Sequence, residues 1–291
     1  MAVTAKEVKE LRDRTGVGMM DAKKALVETD GDMDKAIDFL RENGLAKAAK
    51  KSDRIAAEGL TKVVVRGNEA VILELNSETD FVAKNEQFIN LLDSLAFAIL
   101  DQKPESVEAA MENVTIEGQK LSEHIAEKTS VIGEKLDFRR FEIFTKTDDQ
   151  EFGHYAHQGG RISVLVQLTG GDQDLANGIA MHIGGLNPRF LDEESVPADV
   201  REHEKEVLTE QALNEGKPAN IVEKMIAGRL RKFFSEICLV DQDYLLDDSK
   251  TVGEVAKEAG AKIDFFRRYE VGEGIEKREE NFADEVAQQM K

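Results

Sequence analysis

The spacing of apolar residues changes near residue 60, and this change constrains the fold more than any other feature of the chain. Before it, apolar residues recur every three to four positions, which predicts three short helices within residues 1–52. From Leu60 the period becomes two, and the β-rich runs 61–65 and 70–75 flank Gly67-Asn68, which predicts a β-hairpin. The sequence therefore predicts an α+β protein with a helical N-terminal module.

Local signals mark where the N-terminal helices begin and end. Thr4 and Glu7 have the spacing of a capping box, which predicts the start of the first helix. Gly16-Val17-Gly18 predicts a tight turn before the second helix, and we expect Gly44 to stop the third. The stretch 46–54 places Lys and Arg among Ala and Ser, so the first domain is expected to end near residue 54.

The second half of the chain repeats the order of a hairpin followed by a helix. After the first hairpin, helical spacing relates five apolar residues: Phe88, Leu91, Leu92, Leu95 and Ile99. Residues 152–157 and 161–168, around Gly159-Gly160, predict another hairpin, and a helix through 176–183 follows it. Aligning 71–75 with 164–168 indicates either an internal duplication or two independent uses of a common motif.

The remaining residues predict mostly helices. The apolar positions between Val200 and Met225 predict two antiparallel helices, broken at Gly216-Lys217-Pro218. Residues 263–271 predict a strand, and residues 279–290 predict a terminal amphipathic helix.

Charge and cysteine content exclude several classes of protein. Asp and Glu number 58 against 39 Lys and Arg, which gives a net charge of −19 and disfavours sequence-independent binding of nucleic acid. The single cysteine, Cys238, excludes an intramolecular disulfide framework and zinc sites with two or more thiolates. The N-terminus has no apolar segment typical of a secretory signal, and no apolar stretch approaches the ~20 residues of a membrane span. We therefore expect a cytoplasmic protein with no membrane partner.

No catalytic or metal site emerges from the motifs. His154 and His157 lie three apart on a predicted strand, so their side chains point to opposite faces and cannot share a metal ion unless the strand bends. His182 and Cys238 each lie in an apolar run, which is typical of buried core residues. Gly16-Val17-Gly18 follows no strand and lacks a third glycine, so it does not predict a nucleotide loop. We expect no cofactor, no metal and no enzymatic reaction.

Two segments place apolar side chains where polar ones are usual. Met19 and Met20 stand at the start of a helix, where polarizable thioethers suit either a core or a contact surface. Phe81 follows Asp80 in a polar turn between a strand and a helix. Phe81 either folds back as a hydrophobic staple, with Thr79 or Asp80 as the N-cap, or is exposed as a rigid anchor for a partner.

Five segments together resemble a known family. They are RDRTGVGMMDAKKAL (12–26), TDFVAK (79–84), HQGGRI (157–162), IAMH (179–182) and YEVGEGIE (269–276). In this order they are similar to bacterial translation elongation factor Ts, over essentially the whole chain.

The resemblance implies a domain layout. It comprises a ubiquitin-associated-like three-helix domain over 1–54 and a core N-subdomain over 55–140. A related core C-subdomain covers 141–186 and 229–270, with a helical hairpin inserted at 187–228 and a C-terminal helical module at 271–291. Both subdomains are expected to combine an antiparallel sheet with helices.

The resemblance also implies a function and its residues. The chain would be a guanine-nucleotide exchange factor that binds elongation factor Tu, both with GDP and without nucleotide, and would not be an enzyme. Thr79, Asp80, Phe81 and Val82 would dislodge Mg²⁺ from the partner's nucleotide site. Further partner contacts are implied for the terminal helix and for six residues: Arg12, Met19, Met20, Lys23, His157 and Gln158. In the family the region corresponding to 241–248 also faces the partner.

Two other classes of function remain open. The first is a binding adaptor or chaperone-like scaffold that uses the three-helix domain and promotes no exchange. The Thr79–Val82 motif favours the exchange factor, since an adaptor has no reason to carry it. The second is a hydrolase or metalloenzyme, for which the sequence offers no nucleophile, base and ligand set. An exposed apolar seam in the helical hairpin would permit a homodimer, within a heterotetramer with the partner.

Overall fold

The three predicted N-terminal helices are present in the computed structural model, which describes residues 3–215 and 219–276. They are α1 (Ala5–Thr15), α2 (Met19–Glu28) and α3 (Met33–Ala49). The predicted capping box is confirmed, because the Thr4 hydroxyl accepts from the Glu7 N–H and the Glu7 carboxylate accepts from the Thr4 N–H at 2.7 Å. One small apolar core joins the helices and is built mainly from buried aliphatic side chains: Val8, Leu11, Ala22, Ala25, Leu26 and Ala36.

The predicted hairpin and the helix after it follow this module. Strands β1 (Glu58–Arg66) and β2 (Glu69–Ser77) are joined at Gly67, which has φ +59°. A short helix α4 (Asp80–Ala83) precedes α5 (Glu86–Gln102). All five apolar residues that predicted α5 are buried, and Asn85 caps the start of this helix.

Five elements between residues 107 and 145 were not predicted from the sequence. They are α6 (Val107–Asn113), β3 (Thr115–Ile116), β4 (Gln119–Lys120), α7 (Leu121–Ile132) and β5 (Asp137–Thr145). Strand β5 completes a three-stranded sheet of order β1-β2-β5.

The prediction that Gly44 stops α3 is wrong, since this helix continues to Ala49. A Cβ atom on Gly44 would lie 3.5 Å from the Cβ atom of Ser130 in α7. This is an ordinary van der Waals distance, and Gly44 is buried where α3 packs against α7. Gly44 therefore lies inside a contact between two helices and does not terminate α3.

The second predicted hairpin is also confirmed. Strands β6 (Gln150–His157) and β7 (Ile162–Thr169) pair antiparallel, with Tyr155 opposite Val164, and a 3₁₀ turn over Gln158–Gly160 joins them. Helix α8 (Gln173–Leu186) follows, as the sequence predicts, and packs on both strands.

Two long helices come next, α9 (Ala198–Asn214) and α10 (Ala219–Ile237), which pack against each other. The predicted break at 216–218 lies outside the described residues. Ala212, Val222 and Ile226 form the buried contact, so only part of the predicted seam is used. Helix α10 runs nine residues past Gly228 because Phe234 and Ile237 pack in a separate apolar cluster with Val196 and Cys238.

The last described elements are β8 (Asp243–Tyr244), β9 (Asp247–Thr251), α11 (Val252–Glu258) and β10 (Lys262–Glu270). Strand β10 confirms the prediction for 263–271 and completes a sheet of order β10-β7-β6. The predicted helix at 279–290 lies outside the described residues. Within the described ranges, none of the helices has both the length and the apolar character that crossing a bilayer requires.

The described architecture is α+β, as predicted. By its internal contacts the chain forms two units, one with residues 1–62, 73–142 and 270–291 and the other with residues 63–72 and 143–269. We call them unit 1 and unit 2. The domain limits expected from the sequence stay predictions.

Candidate functional site

The Thr79–Val82 turn presents Phe81 to solvent. Thr79 caps α4, with its hydroxyl oxygen accepting from the Val82 N–H at 3.4 Å. Ala83 is the buried residue of this short helix, and Phe81 is 80% exposed. Two residues correspond to about 200° around a helix, so burying Ala83 turns Phe81 outward. The staple interpretation of Phe81 is therefore wrong, and of the two N-cap candidates, Thr79 and Asp80, the structure has Thr79.

Hydrogen bonds to the Glu134 carboxylate hold the start of this turn. One carboxylate oxygen accepts from the Thr79 N–H at 2.9 Å, and the other accepts from the Thr79 hydroxyl at 2.7 Å. The Ser77 hydroxyl donates to the Thr79 carbonyl at 2.9 Å. The turn thus combines a fixed backbone with an exposed aromatic ring, which is the geometry of an anchor for a partner.

The charge beside Phe81 is negative but partly balanced. The Asp80 carboxylate lies 2.7 Å from the Lys84 ammonium group, one helical turn further on. Both side chains are largely open to solvent, so this ion pair adds little stability, ~0.3–0.5 kcal/mol. Asp80 can therefore exchange Lys84 for a positive group on a partner at small cost.

A second exposed surface lies on the N-terminal helices and consists of Arg12, Met19, Met20 and Lys23. Because Ala22, Ala25 and Leu26 supply the buried face of α2, Met20 and Lys23 share its outer face, and Met20 is 76% exposed. The Arg12 guanidinium lies 3.1 Å from the Asp13 carboxylate at the end of α1. We call these four residues the helical patch. It belongs to unit 1, as does Phe81.

His157 and Gln158 lie in unit 2, where β6 ends. Gln158 has φ +49°, and Gly159 and Gly160 also have positive φ, so three consecutive residues adopt left-handed backbone. Such a conformation is costly for a side chain like that of Gln and is often found at functional sites. Gln158 is exposed, whereas His157 is half-buried with its ring centroid 5.8 Å from that of Tyr155.

Comparison with protein families decides the identity of the chain. The model of the family described as Elongation factor TS matches residues 78–273, about two thirds of the chain. This chain belongs to the elongation factor Ts family. The match contains both Thr79–Val82 and His157–Gln158, and membership implies a role as a nucleotide exchange factor for elongation factor Tu in protein synthesis.

One exposed apolar pair in the family-matched region was not predicted from the sequence. Leu245 and Leu246, between β8 and β9, are 48% and 58% exposed. The signal was available, since two adjacent leucines stand in the otherwise polar segment Asp241–Asp248. An exposed leucine pair suits contact with a partner.

His182 holds this leucine pair in place. Its side chain is fully buried, as predicted, and Nδ1 accepts from the Leu245 N–H at 3.1 Å. The Nε2 atom lies 2.9 Å from the Gln242 carbonyl oxygen, so Nε2–H donates to Gln242 and the ring is neutral. Burial lowers the pKa of His182 below its usual value of 6.5. Its role is structural, with both ring nitrogens satisfied.

Cys238 is fully buried, as predicted. Burial, with a smaller effect of the nearby Asp241 carboxylate, raises the pKa of its thiol to about 12. A thiol that is protonated at neutral pH is a poor nucleophile. In the described ranges, no cluster of three or more His, Cys, Asp and Glu side chains could hold a metal ion.

Proposed function

We propose that this protein binds elongation factor Tu with GDP, displaces Mg²⁺ from the nucleotide site and promotes GDP release, so that GTP can bind during translation elongation. The observation that carries the proposal is Phe81, an 80% exposed aromatic ring on a turn whose backbone is fixed. Thr79, Asp80, Phe81 and Val82 act together as the inserted segment. The family match over residues 78–273 supports this role.

The mechanism is thermodynamic linkage. A protein that binds the nucleotide-free partner more tightly than the GDP-bound partner must weaken GDP binding by the same factor. A nanomolar nucleotide site is worth roughly −12 kcal/mol, so emptying it quickly takes about 4–7 kcal/mol of differential binding. No covalent step is needed, and we propose that the protein is not an enzyme in the bond-making sense.

Phe81 alone is too small to supply this difference. Burying one phenylalanine contributes about 1.5–3 kcal/mol. The remainder has to come from a wide interface, which we propose includes the helical patch together with His157 and Gln158. Asp80 brings a negative charge towards the Mg²⁺ site, but we expect displacement of the loops that hold Mg²⁺ to contribute more than direct repulsion.

The test is stopped-flow release of a fluorescent GDP analogue from elongation factor Tu, with and without this protein. We expect the wild-type protein to accelerate release and Phe81→Ala to lose most of that acceleration. Phe97→Ala is the matched control, because Phe97 is 48% exposed on α5, away from the turn. If the folded wild-type protein leaves GDP release unchanged, the adaptor becomes the better interpretation.

We further propose that the protein works in the cytoplasm, where translation factors act. A homodimer within a heterotetramer with elongation factor Tu is proposed through the α9–α10 hairpin. Leu213 of α9 is 57% exposed and is an apolar side chain that a second copy would cover. Light scattering at several concentrations tests this assembly, and a constant monomer mass would contradict it.

A further inference from the structure

We propose that Glu134 is a positioning residue for nucleotide exchange, because it sets the direction in which the Thr79–Val82 turn presents Phe81. This inference rests on the proposed function of the turn. Glu134 lies just after α7, 55 residues away from Thr79 along the chain, and its hydrogen bonds to the turn are made to Thr79. It would act through Thr79.

The turn is connected to the segment after α7 through two pairs of adjacent residues, Glu78-Thr79 and Glu134-Lys135. The Glu134 carboxylate accepts from both the N–H and the hydroxyl of Thr79, at 2.9 and 2.7 Å. The next residue, Lys135, donates its N–H to the Glu78 carboxylate at 2.6 Å. Arg54 donates to both oxygens of Glu78 at 3.2 Å. The two residues before α4 are therefore tied to the two residues after Gly133.

The segment 133–135 is itself well supported. Gly133 ends α7 with φ +92°, and its N–H donates to the Thr129 carbonyl at 3.0 Å. The Lys135 ammonium group donates to the carbonyls of Ser52 and Arg54 at 2.7 and 3.1 Å. The segment 133–135 is therefore also hydrogen-bonded to the backbone that follows α3. Glu134 therefore connects the Phe81 turn to a rigid platform that exists without a partner.

The turn needs this support because its own helix is too short to be stable. Helix α4 has four residues, and isolated helices shorter than about 12 residues are marginal in water. Its capping hydrogen bond from Val82 is long, at 3.4 Å. Without Glu134, the turn would sample several directions. Each encounter with the partner would then cost the conformational entropy that is lost when the turn becomes ordered. Loss of Glu134 should lower the maximal exchange rate more than the affinity.

Glu134→Ala and Glu134→Gln separate positioning from charge. A glutamine can accept from the Thr79 N–H and donate to its hydroxyl oxygen, so its exchange rate should stay within about twofold of wild type. The alanine variant should lower the rate of GDP release at saturating protein about three- to tenfold, with a smaller change in half-saturating concentration. Glu112→Ala, at an exposed position of α6, is the control and should match wild type.

A double-mutant cycle shows whether Glu134 acts through Phe81. In a Phe81→Ala background, Glu134→Ala should cause no further loss, whereas in a Met20→Ala background it should cause its full three- to tenfold loss. Equal losses in both backgrounds, or no loss in either, would overturn the proposal. Circular dichroism spectra must show that each variant is folded.

A measurement on the free protein tests the positioning of the turn without relying on nucleotide exchange. Amide hydrogen exchange at Ala83, Lys84 and Asn85, whose N–H groups donate within the turn, should speed up at least about tenfold in Glu134→Ala but not in Glu112→Ala. Unchanged protection would overturn the positioning role. If wild type fails to accelerate GDP release but this protection changes, the proposed function fails while the positioning of the turn stands.

Discussion

Replacing Glu74 with glutamine should destabilise unit 1 far more than the same replacement at an exposed glutamate of that unit. Glu74 of β2 is fully buried, and one carboxylate oxygen accepts from Arg139 at 3.0 Å and from the Gly272 N–H at 2.8 Å. The other oxygen accepts from Arg140 at 2.6 Å. This carboxylate thus joins strands β2 and β5 to the segment that follows β10.

The size of the effect follows from what glutamine leaves behind. Its amide NH₂ group would face the Arg140 guanidinium, donor against donor. Arg139 and Arg140, whose side chains are only 24% and 29% exposed, would both lose the charge of Glu74. Breaking a buried ion pair in this way typically costs about 3–5 kcal/mol. We therefore expect Glu74→Gln to lower the free energy of unfolding by about 3 kcal/mol or more.

Glu273→Gln is a matched control because Glu273 pairs with the same Arg140 at 3.2 Å but is 56% exposed. Each variant removes one negative charge, and the exposed pair should be worth at most about 1 kcal/mol. Urea unfolding followed by circular dichroism is the suitable assay, since the chain has no tryptophan. A Glu74→Gln loss below about 1 kcal/mol, or equal to that of the control, would refute the reasoning.

Three further predictions concern other positions. Met20→Ala should change the free energy of unfolding by less than about 0.5 kcal/mol but weaken binding to elongation factor Tu about tenfold. Differential scanning calorimetry measures the first quantity and titration calorimetry the second. Unchanged binding would show that Met20 is not part of the interface. Cys238 should not react with Ellman's reagent at pH 8 until urea unfolds the protein, because its thiol pKa is about 12, and rapid labelling of the native protein would contradict its burial. Burial lowers the pKa of His182 in the folded state, so the unfolded chain binds more protons below pH 6.5 and stability should fall from pH 7 to pH 5. His182→Asn should make that fall shallower, and an equal slope would argue against His182.

The sequence predicted elements best where one local signal determined them. The capping box at Thr4, the two hairpins and the apolar face of α5 each depend on residues close together in the chain, and all are confirmed. Gly44 misled the prediction because it lies inside α3, and the contact of α3 with the distant helix α7 supports the helix beyond this glycine. Contacts between segments far apart in sequence leave no local periodicity.

The candidate site shows the same division. The motif and a pair of N-cap candidates, Thr79 and Asp80, could be predicted. The direction of Phe81 could not, because a staple and an exposed anchor share the same local sequence. The structure decides it by burying Ala83. Glu134 was missed entirely, since its partner is 55 residues away and a glutamate in a chain with 58 acidic residues is not distinctive.

The most direct test of the account is the affinity of this protein for elongation factor Tu in two states. Isothermal titration calorimetry should compare the nucleotide-free partner with the partner bound to Mg²⁺ and GDP. Linkage predicts tighter binding to the nucleotide-free form by about 10³- to 10⁵-fold, which corresponds to about 4–7 kcal/mol. Equal affinities for the two forms would contradict the proposal, because a protein without that preference cannot weaken GDP binding.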